Sequence, residues 1–490
     1  MFKLFWKKYF IAFLIGILPF FISTKVFFLT SPPVWPDEVI FTSLAKNFSE
    51  KGVIATNLWG SNEFGYDKGQ GAFAQYPLYF ILLGYWGKLF HFSIQSMRLL
   101  SVVLGFITLV ICFLILIKLF KRRTYASIGI IMISTNIWFN QITHLGRMEI
   151  LVIFFAASAY LFYCTTLKNK YLKQSSIIFL GLLSALALLT HPMGIFTPIA
   201  ICGLMLVKDI AWKHKILYCT EIILLSFIPW CIWIFSTTSS ITYSINQWQW
   251  ELVRKTSSYS SLYKLFLSKS NYIAVSAVHG LLVLYFFFSI LKIKTKSLFI
   301  TAIPFLVTYS IAILGKEVWY LSYIEPWATF YYFSILVSVA RKKNFETFII
   351  LFGIIILFIN TISLLEKFSS QYLQSSRPVN YELFATTVEQ SIPKNSSILV
   401  SSIPDPTFAL WEKRGEDNIY QFFLYPMSNS PGYQTLLDTI DYVVINQAFE
   451  PILYSYLKTN TEKFERVQAG GYQIELYRLT AKNNRVHVSK

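Results

Sequence analysis

Charged residues are scarce in this chain. They make up 14% of its 490 residues, whereas 55% of the residues are hydrophobic. Soluble domains carry about 25% charged residues, so this composition excludes a chain that folds around one soluble core. Apolar runs of about 20 residues recur along roughly the first three quarters of the sequence, and each is long enough to cross the hydrocarbon layer of a membrane. The chain is therefore a polytopic membrane protein.

Cysteine and histidine are rare as well. The five cysteines all lie within or at the edge of predicted membrane helices, and the long outer loops and the C-terminal tail contain none. This excludes a disulfide framework in those regions. The six histidines are scattered and form no cluster with cysteine of the kind that binds zinc. We expect no structural zinc and no certain cofactor, and we leave open a loosely held divalent ion.

The formal net charge of +18 would suggest a nucleic-acid partner in a soluble protein. Here much of the basic charge falls in short loops between apolar runs, as in cytoplasmic loops that face anionic lipid headgroups. We therefore reject a nucleic-acid partner and expect membrane lipids to be the partners of this basic charge.

The apolar runs predict membrane helices and their orientation. We place about eleven of them, at about 9–30, 98–118, 125–144, 148–167, 175–191, 193–208, 216–236, 271–291, 297–315, 319–340 and 345–365. Basic residues concentrate at alternate ends, beginning with Lys3 and continuing at 118–123, and the positive-inside rule puts these ends in the cytoplasm. The odd number of crossings then puts the C-terminal tail outside. We expect a multi-pass protein of a bacterial plasma (inner) membrane with a cytoplasmic N-terminus.

Two domains are expected from this pattern. Residues 1–365 form a transmembrane domain with a large outer loop at 31–97, and residues 366–490 form a small extracytoplasmic α/β domain. In the loop, Tyr76–Phe90 is apolar but short for a span, which predicts an amphipathic or re-entrant helix on the outer surface. In the tail, "SSILVSS" and "DYVVINQ" predict buried strands after helical segments, and "FERVQAGGYQIELYRL" predicts a hairpin.

Two adjacent carboxylates follow the first apolar run, in the stretch "SPPVWPDEVIFTSLAKNF". Asp37 and Glu38 could simply start a helix, because proline at the first position and acids in the first turn favour one. Their place at lipid-headgroup depth also allows a catalytic role. Adjacent residues face different directions on a helix or a strand. We therefore expect one carboxylate to do chemistry and the other to support it.

Transfer of a sugar from a lipid phosphate is a reaction that needs a single carboxylate at this depth. The leaving phosphate is already a stable anion and needs no general acid, unlike the sugar oxygen in a glycosidase. A base must take the proton of the acceptor, and cationic charge must hold the phosphate.

The sequence resembles the GT-C membrane glycosyltransferases, among them the protein O-mannosyltransferases and the lipid A aminoarabinose transferases. Asp-Glu after the first helix, the Pro-Leu-Tyr segment "YPLYFILLGYWGKLF", a second span entered by Arg98, and "GKEVWYLSYIEPWATF" carry the likeness. The family often has two prolines before Leu-Tyr, whereas Tyr76-Pro77 stands here. The resemblance implies that Asp37 is the catalytic base, with Glu38 beside it.

Basic residues at the outer helix ends are candidates for holding the donor phosphate. They are Arg98, Arg147 and Lys316, with Tyr320 beside Lys316, Lys68 in the loop "GYDKGQGAF", and His144 and His191 as weaker candidates. A cation at a membrane surface needs a partner. Arg147 could instead pair with Glu149 or a lipid headgroup, and Lys316 with Glu317. His191-Pro192 is more typical of a tight outer turn than of a catalytic base.

The leading hypothesis is an inverting membrane glycosyltransferase. It moves a sugar from a polyprenyl-phosphate donor to a hydroxyl of a protein, lipid or glycan at the outer face, with an aspartate as general base. One alternative is a transporter or flippase of lipid-linked sugars, although paired repeats and polar mid-membrane helices are lacking. Another alternative is a catalytically inactive scaffold of the same fold. A groove from Asp37 to a lateral lipid opening would favour the enzyme, and a central pore would favour transport.

Overall fold

The structure is a computed structural model. It describes residues 2–30, 32–58, 71–72, 75–167, 169–237, 242, 245–249, 280–284, 296–315, 318–339, 353–356, 358–363, 365, 381–415, 418–421, 437, 440–447, 450–469 and 474–480. Lys68 and Lys316, together with most of the predicted span at 271–291, lie outside these residues.

The membrane half is built from helices that follow the predicted apolar runs. They are α1 (Phe2–Thr30), α2 (Pro36–Lys51), α3 (Pro77–Phe90), α4 (Ile94–Phe120), α5 (Arg123–Thr135), α6 (Ile137–His144), α7 (Glu149–Thr165), α8 (Gln174–Thr190), α9 (Phe196–Leu206), α10 (Trp212–Thr237), α11 (Lys296–Gly315) and α12 (Glu325–Val339). Short 3₁₀ helices at Pro192–Ile195 and Val318–Tyr323 precede α9 and α12. In the core α1 packs on α5, α4 on α7, and α8 on α10.

Within the described residues, three helices are long and apolar enough to cross a membrane. They contain the segments Tyr9–Phe28, Ile94–Phe120 and Trp212–Phe235. The pair α6 and α7, bent by 111°, would make a fourth if it acts as one broken span. Shorter apolar helices, such as Gln174–Thr190, occupy other predicted spans. The multi-helix membrane fold is confirmed, and the number of eleven crossings stays a prediction.

The predicted span at 125–144 is divided in two. Asn136 lies between α5 and α6, and its side-chain oxygen accepts hydrogen bonds from the backbone N–H groups of Trp138 (2.8 Å) and Phe139 (3.0 Å). An asparagine in this role caps the start of a new helix. Hydropathy does not register such a cap, because the apolar character continues on both sides of it.

Among its described residues, the loop at 31–97 contains two helices that pack on each other. Helix α3 covers Pro77–Phe90, so the expected short helix is present, and it lies against α2. Its place at the outer membrane surface stays a prediction. The two backbones approach closely at Gly84, where a Cβ atom would lie 2.8 Å from the carbonyl oxygen of Ala45. This contact holds α2, the helix that begins with Pro36-Asp37-Glu38, against α3.

The C-terminal domain contains a five-stranded sheet in the order β2-β1-β3-β5-β4. Its elements are α13 (Tyr381–Gln390), β1 (Ile398–Ser401), α14 (Thr407–Arg414), β2 (Ile419–Gln421), β3 (Tyr442–Asn446), α15 (Pro451–Thr459), β4 (Phe464–Ala469) and β5 (Ile474–Leu479). Strands β1, β2 and β3 are parallel, and β5 runs antiparallel to β3 and to β4. Both predicted buried strands and the antiparallel pairing of the predicted hairpin are confirmed, and the Gly470-Gly471 turn lies outside the described residues. Strand β2 and helices α14 and α15 had no clear signal.

The C-terminal domain touches the loop at 31–97. The backbone N–H of Asp405 donates to the carbonyl oxygen of Val34 (3.0 Å), and the ammonium group of Lys46 lies over the ring of Trp411. The tail and the loop 31–97 therefore lie on the same side of the membrane half.

Candidate active site

Glu38 is fully buried and its carboxylate is saturated with donors. One oxygen accepts from Nε of Arg98 (2.8 Å) and from the backbone N–H of Gly146 (3.0 Å). The other accepts from Nη2 of Arg98 (2.8 Å) and from the backbone N–H of Trp35 (3.1 Å). The bond from Trp35 is one half of a capping box, so the expected helix start is present. A carboxylate bound in this way supports the structure and is closed to a substrate.

Arg98 is the partner of Glu38. Besides the two bonds to the carboxylate, it donates to the carbonyl oxygens of Pro32 (3.0 Å) and Pro33 (3.2 Å). Its side chain is 6% exposed. This placement argues against our expectation that Arg98 holds the donor phosphate, because its donors are already directed at protein oxygens.

Asp37 has a different environment. Its side chain is 34% exposed, and one carboxylate oxygen pairs with Nη1 of Arg147. Within the described part of the chain, no other hydrogen-bond partner of the Asp37 side chain is present. The other oxygen therefore has no partner among the described residues and is the one available to a substrate. Of the two adjacent acids, Asp37 is the accessible one.

Arg147 bridges Asp37 to a second acid, Glu149. Its Nη2 donates to Glu149 at 2.6 Å and its Nε at 3.2 Å, and the Glu149 side chain is 2% exposed. Counted by formal charge over these three described residues, one cation lies between two acids, which gives one net negative charge. The pairing with Glu149 was the alternative considered for Arg147. It argues against Arg147 as the main phosphate ligand, because an anion meets an acidic cluster there.

The turn between α6 and α7 positions Arg147. Gly146 lies in this turn with its N–H on Glu38. A Cβ atom at Gly146 would lie 2.7 Å from Sδ of Met97, so a side chain does not fit without movement. Sequence reasoning missed the role of Gly146, and it named Glu149 only as an alternative partner of Arg147. The signal available was the run Gly146-Arg147-Met148-Glu149 at the mouth of a span, where a charged pair is costly without a use.

His191 and Tyr320 form a second cluster near the same end of the bundle. Nδ1 of His191 accepts from the backbone N–H of Met193 (3.1 Å) at the start of the 3₁₀ helix, which fits the tight-turn interpretation. The ring centroids of His191 and Tyr320 are 5.5 Å apart. Both 3₁₀ helices pack against α7, the helix that begins at Glu149.

His144 lies at the end of α6. Its Nε2 is 2.8 Å from the hydroxyl of Thr24, and its Nδ1 is 2.7 Å from the carbonyl oxygen of Asn140. It lies between Phe20 and Phe27, so it ties α6 to α1 within the core. Among the described residues, no group of three or more His, Cys, Asp and Glu side chains is placed to hold a metal ion.

Comparisons with known proteins agree on the fold. Residues 74–233 match the family model of the dolichyl-phosphate-mannose-protein mannosyltransferases. The chain is similar to ArnT from Cupriavidus metallidurans bound to undecaprenyl phosphate, with a TM-score of 0.60 and 11% identity over 97% of this chain and 99% of that one. It is also similar to the oligosaccharyltransferase of Archaeoglobus fulgidus in the apo form, with a TM-score of 0.55 and 11% identity over 92% of this chain and 71% of that one.

No curated protein matches the chain in sequence. The similarities to solved structures, at 11% identity, show the fold alone. The fold and the family match together confirm the resemblance that the acidic motif and the surface helix indicate. The chain has the fold of the GT-C membrane glycosyltransferases, with the sequence pattern of the dolichyl-phosphate-mannose-protein mannosyltransferases over residues 74–233.

Proposed function

We propose that the protein is an integral membrane glycosyltransferase. It transfers a sugar from a polyprenyl-phosphate donor to an acceptor hydroxyl at the outer face of the membrane, with inversion at the anomeric carbon. The observation that carries this proposal is the contrast between the two adjacent acids. Glu38 is buried with its donors, whereas Asp37 presents a partly exposed carboxylate beside Arg147.

The molecules bound in the structural neighbours support the choice of donor. The ArnT structure contains undecaprenyl phosphate, and a second structure of the Archaeoglobus fulgidus enzyme, with a TM-score of 0.54 and 12% identity, contains a dolichol-phosphate and an inhibitory peptide. A lipid phosphate is thus a ligand common to these proteins. The proposed acceptor remains a hydroxyl of a protein, lipid or glycan.

Asp37 acts as the general base in this mechanism. Its free carboxylate oxygen takes the proton of the acceptor hydroxyl as that oxygen forms a bond to the anomeric carbon. The bond between this carbon and the phosphate oxygen breaks on the opposite face, and the lipid phosphate leaves with the electron pair. Arg147, fixed by Glu149, holds the other oxygen of Asp37 and so orients the carboxylate. Correct orientation of a reacting group is a major part of catalysis.

The charge of the cluster favours the sugar rather than the phosphate. Glycosyl transfer passes through a transition state with positive charge on the anomeric carbon and the ring oxygen. The net negative charge of Asp37, Arg147 and Glu149 stabilises that charge. A phosphate is repelled by the same cluster, and the cation that holds it must come from elsewhere. Lys316 and Lys68 are the candidates that we retain for this role.

Asp37→Asn tests the proposal. The substitution keeps the shape and removes the basicity, so we expect turnover to fall by about 10²-fold or more. Purified protein is incubated with undecaprenyl-phosphate mannose and with membranes that supply acceptors, and released undecaprenyl phosphate is measured. Asp209→Asn, at an exposed position far along the chain, is the matched control.

The outcome separates the enzyme from its alternatives. Native turnover with an inactive Asp37→Asn protein and an active Asp209→Asn protein supports a glycosyltransferase with this base. Equal turnover in all three proteins removes Asp37 from the chemistry. Absence of turnover in the native protein, repeated with glucose-linked and aminoarabinose-linked donors, leaves transport or a scaffold role as the better interpretation.

A further inference from the structure

The segment Pro32–Trp35 connects α1 to α2 and has no regular secondary structure. Its carbonyl groups are nevertheless bound. Arg98 donates to the oxygens of Pro32 (3.0 Å) and Pro33 (3.2 Å), and the backbone N–H of Glu38 donates to the oxygen of Trp35 (3.0 Å). These donors all belong to the membrane half. They fix the path of the chain immediately before Asp37.

The remaining carbonyl in this segment, that of Val34, is bound by the C-terminal domain. The backbone N–H of Asp405 donates to it at 3.0 Å. Val34 and Asp405 are both buried, with exposures of 2% and 0%. Without this donor the Val34 carbonyl would be a buried acceptor that has lost its partner, which is an unfavourable state. The bond therefore satisfies a group that is buried in the docked arrangement, and its loss there is unfavourable.

The side chain of Asp405 sets the direction of its own N–H. Its Oδ1 accepts from the backbone N–H of Thr407 at 2.8 Å, in the turn that links β1 to α14. This local bond is typical of aspartate in turns. The turn is anchored on β1, the central parallel strand between β2 and β3. The donor to Val34 is thus presented by a rigid element.

The same turn and helix touch α2 a second time. Trp411, one helical turn after Thr407, lies under the ammonium group of Lys46, with 5.7 Å between the nitrogen and the ring centroid. Lys46 is in the second half of α2. The C-terminal domain therefore contacts both the approach to α2 and its body, on either side of Asp37 along the chain.

We infer that the C-terminal domain positions the Asp37 carboxylate through the bond from Asp405 to Val34, so that the site is complete only when this domain is docked. Asp405 is a positioning residue, because it acts through Val34 and α2 and not on the substrate. The inference rests on the proposed function for its catalytic consequence. A displacement of a reacting group by about 1 Å can cost about 10²-fold in rate. Loss of the bond should therefore lower kcat more than it raises the KM for the donor.

Hydrogen exchange tests the contact without any assay of activity. Asp405→Pro removes the N–H donor. Backbone exchange is measured by mass spectrometry on the purified full-length chain. Peptides that cover 33–40 contain the N–H groups of Trp35 and Glu38, both hydrogen-bonded in this structure. We expect exchange in these peptides to become about 10-fold faster or more, because local opening of the segment Pro32–Trp35 then costs less free energy.

The matched control is Lys394→Pro. This exposed position also follows a proline, and it is the second residue of the turn closed by the bond from Ser396 N–H to the Pro393 oxygen, a place where proline is favoured. Peptides from β1 and β3 report whether the domain stays folded. Faster exchange at 33–40 with protected strands supports the inference. Unchanged exchange at 33–40 with protected strands overturns it.

A second variant covers the case in which Asp405→Pro unfolds the domain. Asp405→Ala keeps the N–H but removes the carboxylate that directs it, so exchange at 33–40 should still rise, by a smaller factor. If Asp405→Pro unfolds the domain, native exchange at 33–40 in Asp405→Ala with protected strands overturns the inference.

The kinetic readout is separate. A fall in kcat at nearly constant donor KM supports positioning, and native kcat in a variant with rapid exchange at 33–40 overturns it. Absence of turnover in the native protein contradicts the proposed function. The exchange result still decides whether the bond from Asp405 to Val34 holds the segment Pro32–Trp35.

Discussion

Glu38→Gln should damage the stability of the protein far more than Asp37→Asn. Glu38 accepts four hydrogen bonds inside the protein, two from Arg98 and one each from the N–H groups of Trp35 and Gly146. A glutamine offers one carbonyl oxygen. Its NH₂ group is a donor and would point at N–H groups that are donors as well. The substitution also leaves the cation of Arg98 without its counter-charge.

The magnitude follows from the burial of the pair. The side chains of Glu38 and Arg98 are 0% and 6% exposed. Breaking such a pair by removal of one partner costs about 3–5 kcal/mol. Arg98 keeps the carbonyl oxygens of Pro32 and Pro33 in the variant, so we expect the lower end, about 3 kcal/mol. Asp37 is partly exposed, and Arg147 keeps Glu149, so Asp37→Asn should cost about 1 kcal/mol or less.

The assay is unfolding of purified protein in mixed micelles, followed by tryptophan fluorescence, as a double-mutant cycle. The four proteins are the native chain, Glu38→Gln, Arg98→Met and the double variant. The double variant removes the orphaned charge, so it should recover part of the loss, with a coupling energy of about 1–3 kcal/mol. Asp37→Asn serves as the comparison at the adjacent position.

Two results would refute this reasoning. If the free energy of unfolding of Glu38→Gln lies within about 0.5 kcal/mol of the native value, as for a surface substitution, the Glu38 carboxylate does not stabilise the protein as its four bonds indicate. If the two single losses simply add in the double variant, Glu38 and Arg98 do not depend on each other.

Two further predictions concern residues outside the described structure. Lys316→Gln should weaken use of the donor by more than the roughly 0–1 kcal/mol of an exposed ion pair. The control is Lys88→Gln, at an exposed position near the end of α3. Equal donor KM values in both variants would remove Lys316 from the phosphate site. A cysteine placed at Ser430 should react with an impermeant thiol reagent in intact cells, whereas one at Lys342 should be protected; the reverse pattern would invert the topology.

Much of the fold could be predicted from local properties of the sequence. Helix α3 was expected as a short surface helix because its apolar run is too short for a span, and the pair β4 and β5 was expected from alternation around two glycines. The break at Asn136 was missed because capping depends on one side chain and not on mean hydropathy. Helix α14 and strand β2 were missed because short elements in a small domain are held by tertiary packing, which overrides weak local preference.

The site divides in the same way. The sequence by itself determined that the protein lies in a membrane and that two acids follow the first apolar run, because hydropathy and residue order are local. Only the tertiary structure decided which acid is accessible. Arg98 is 60 residues from Glu38 and Arg147 is 110 residues from Asp37 along the chain. Burial and pairing are set by groups that meet through space, so two neighbouring carboxylates with the same chemistry acquire opposite environments.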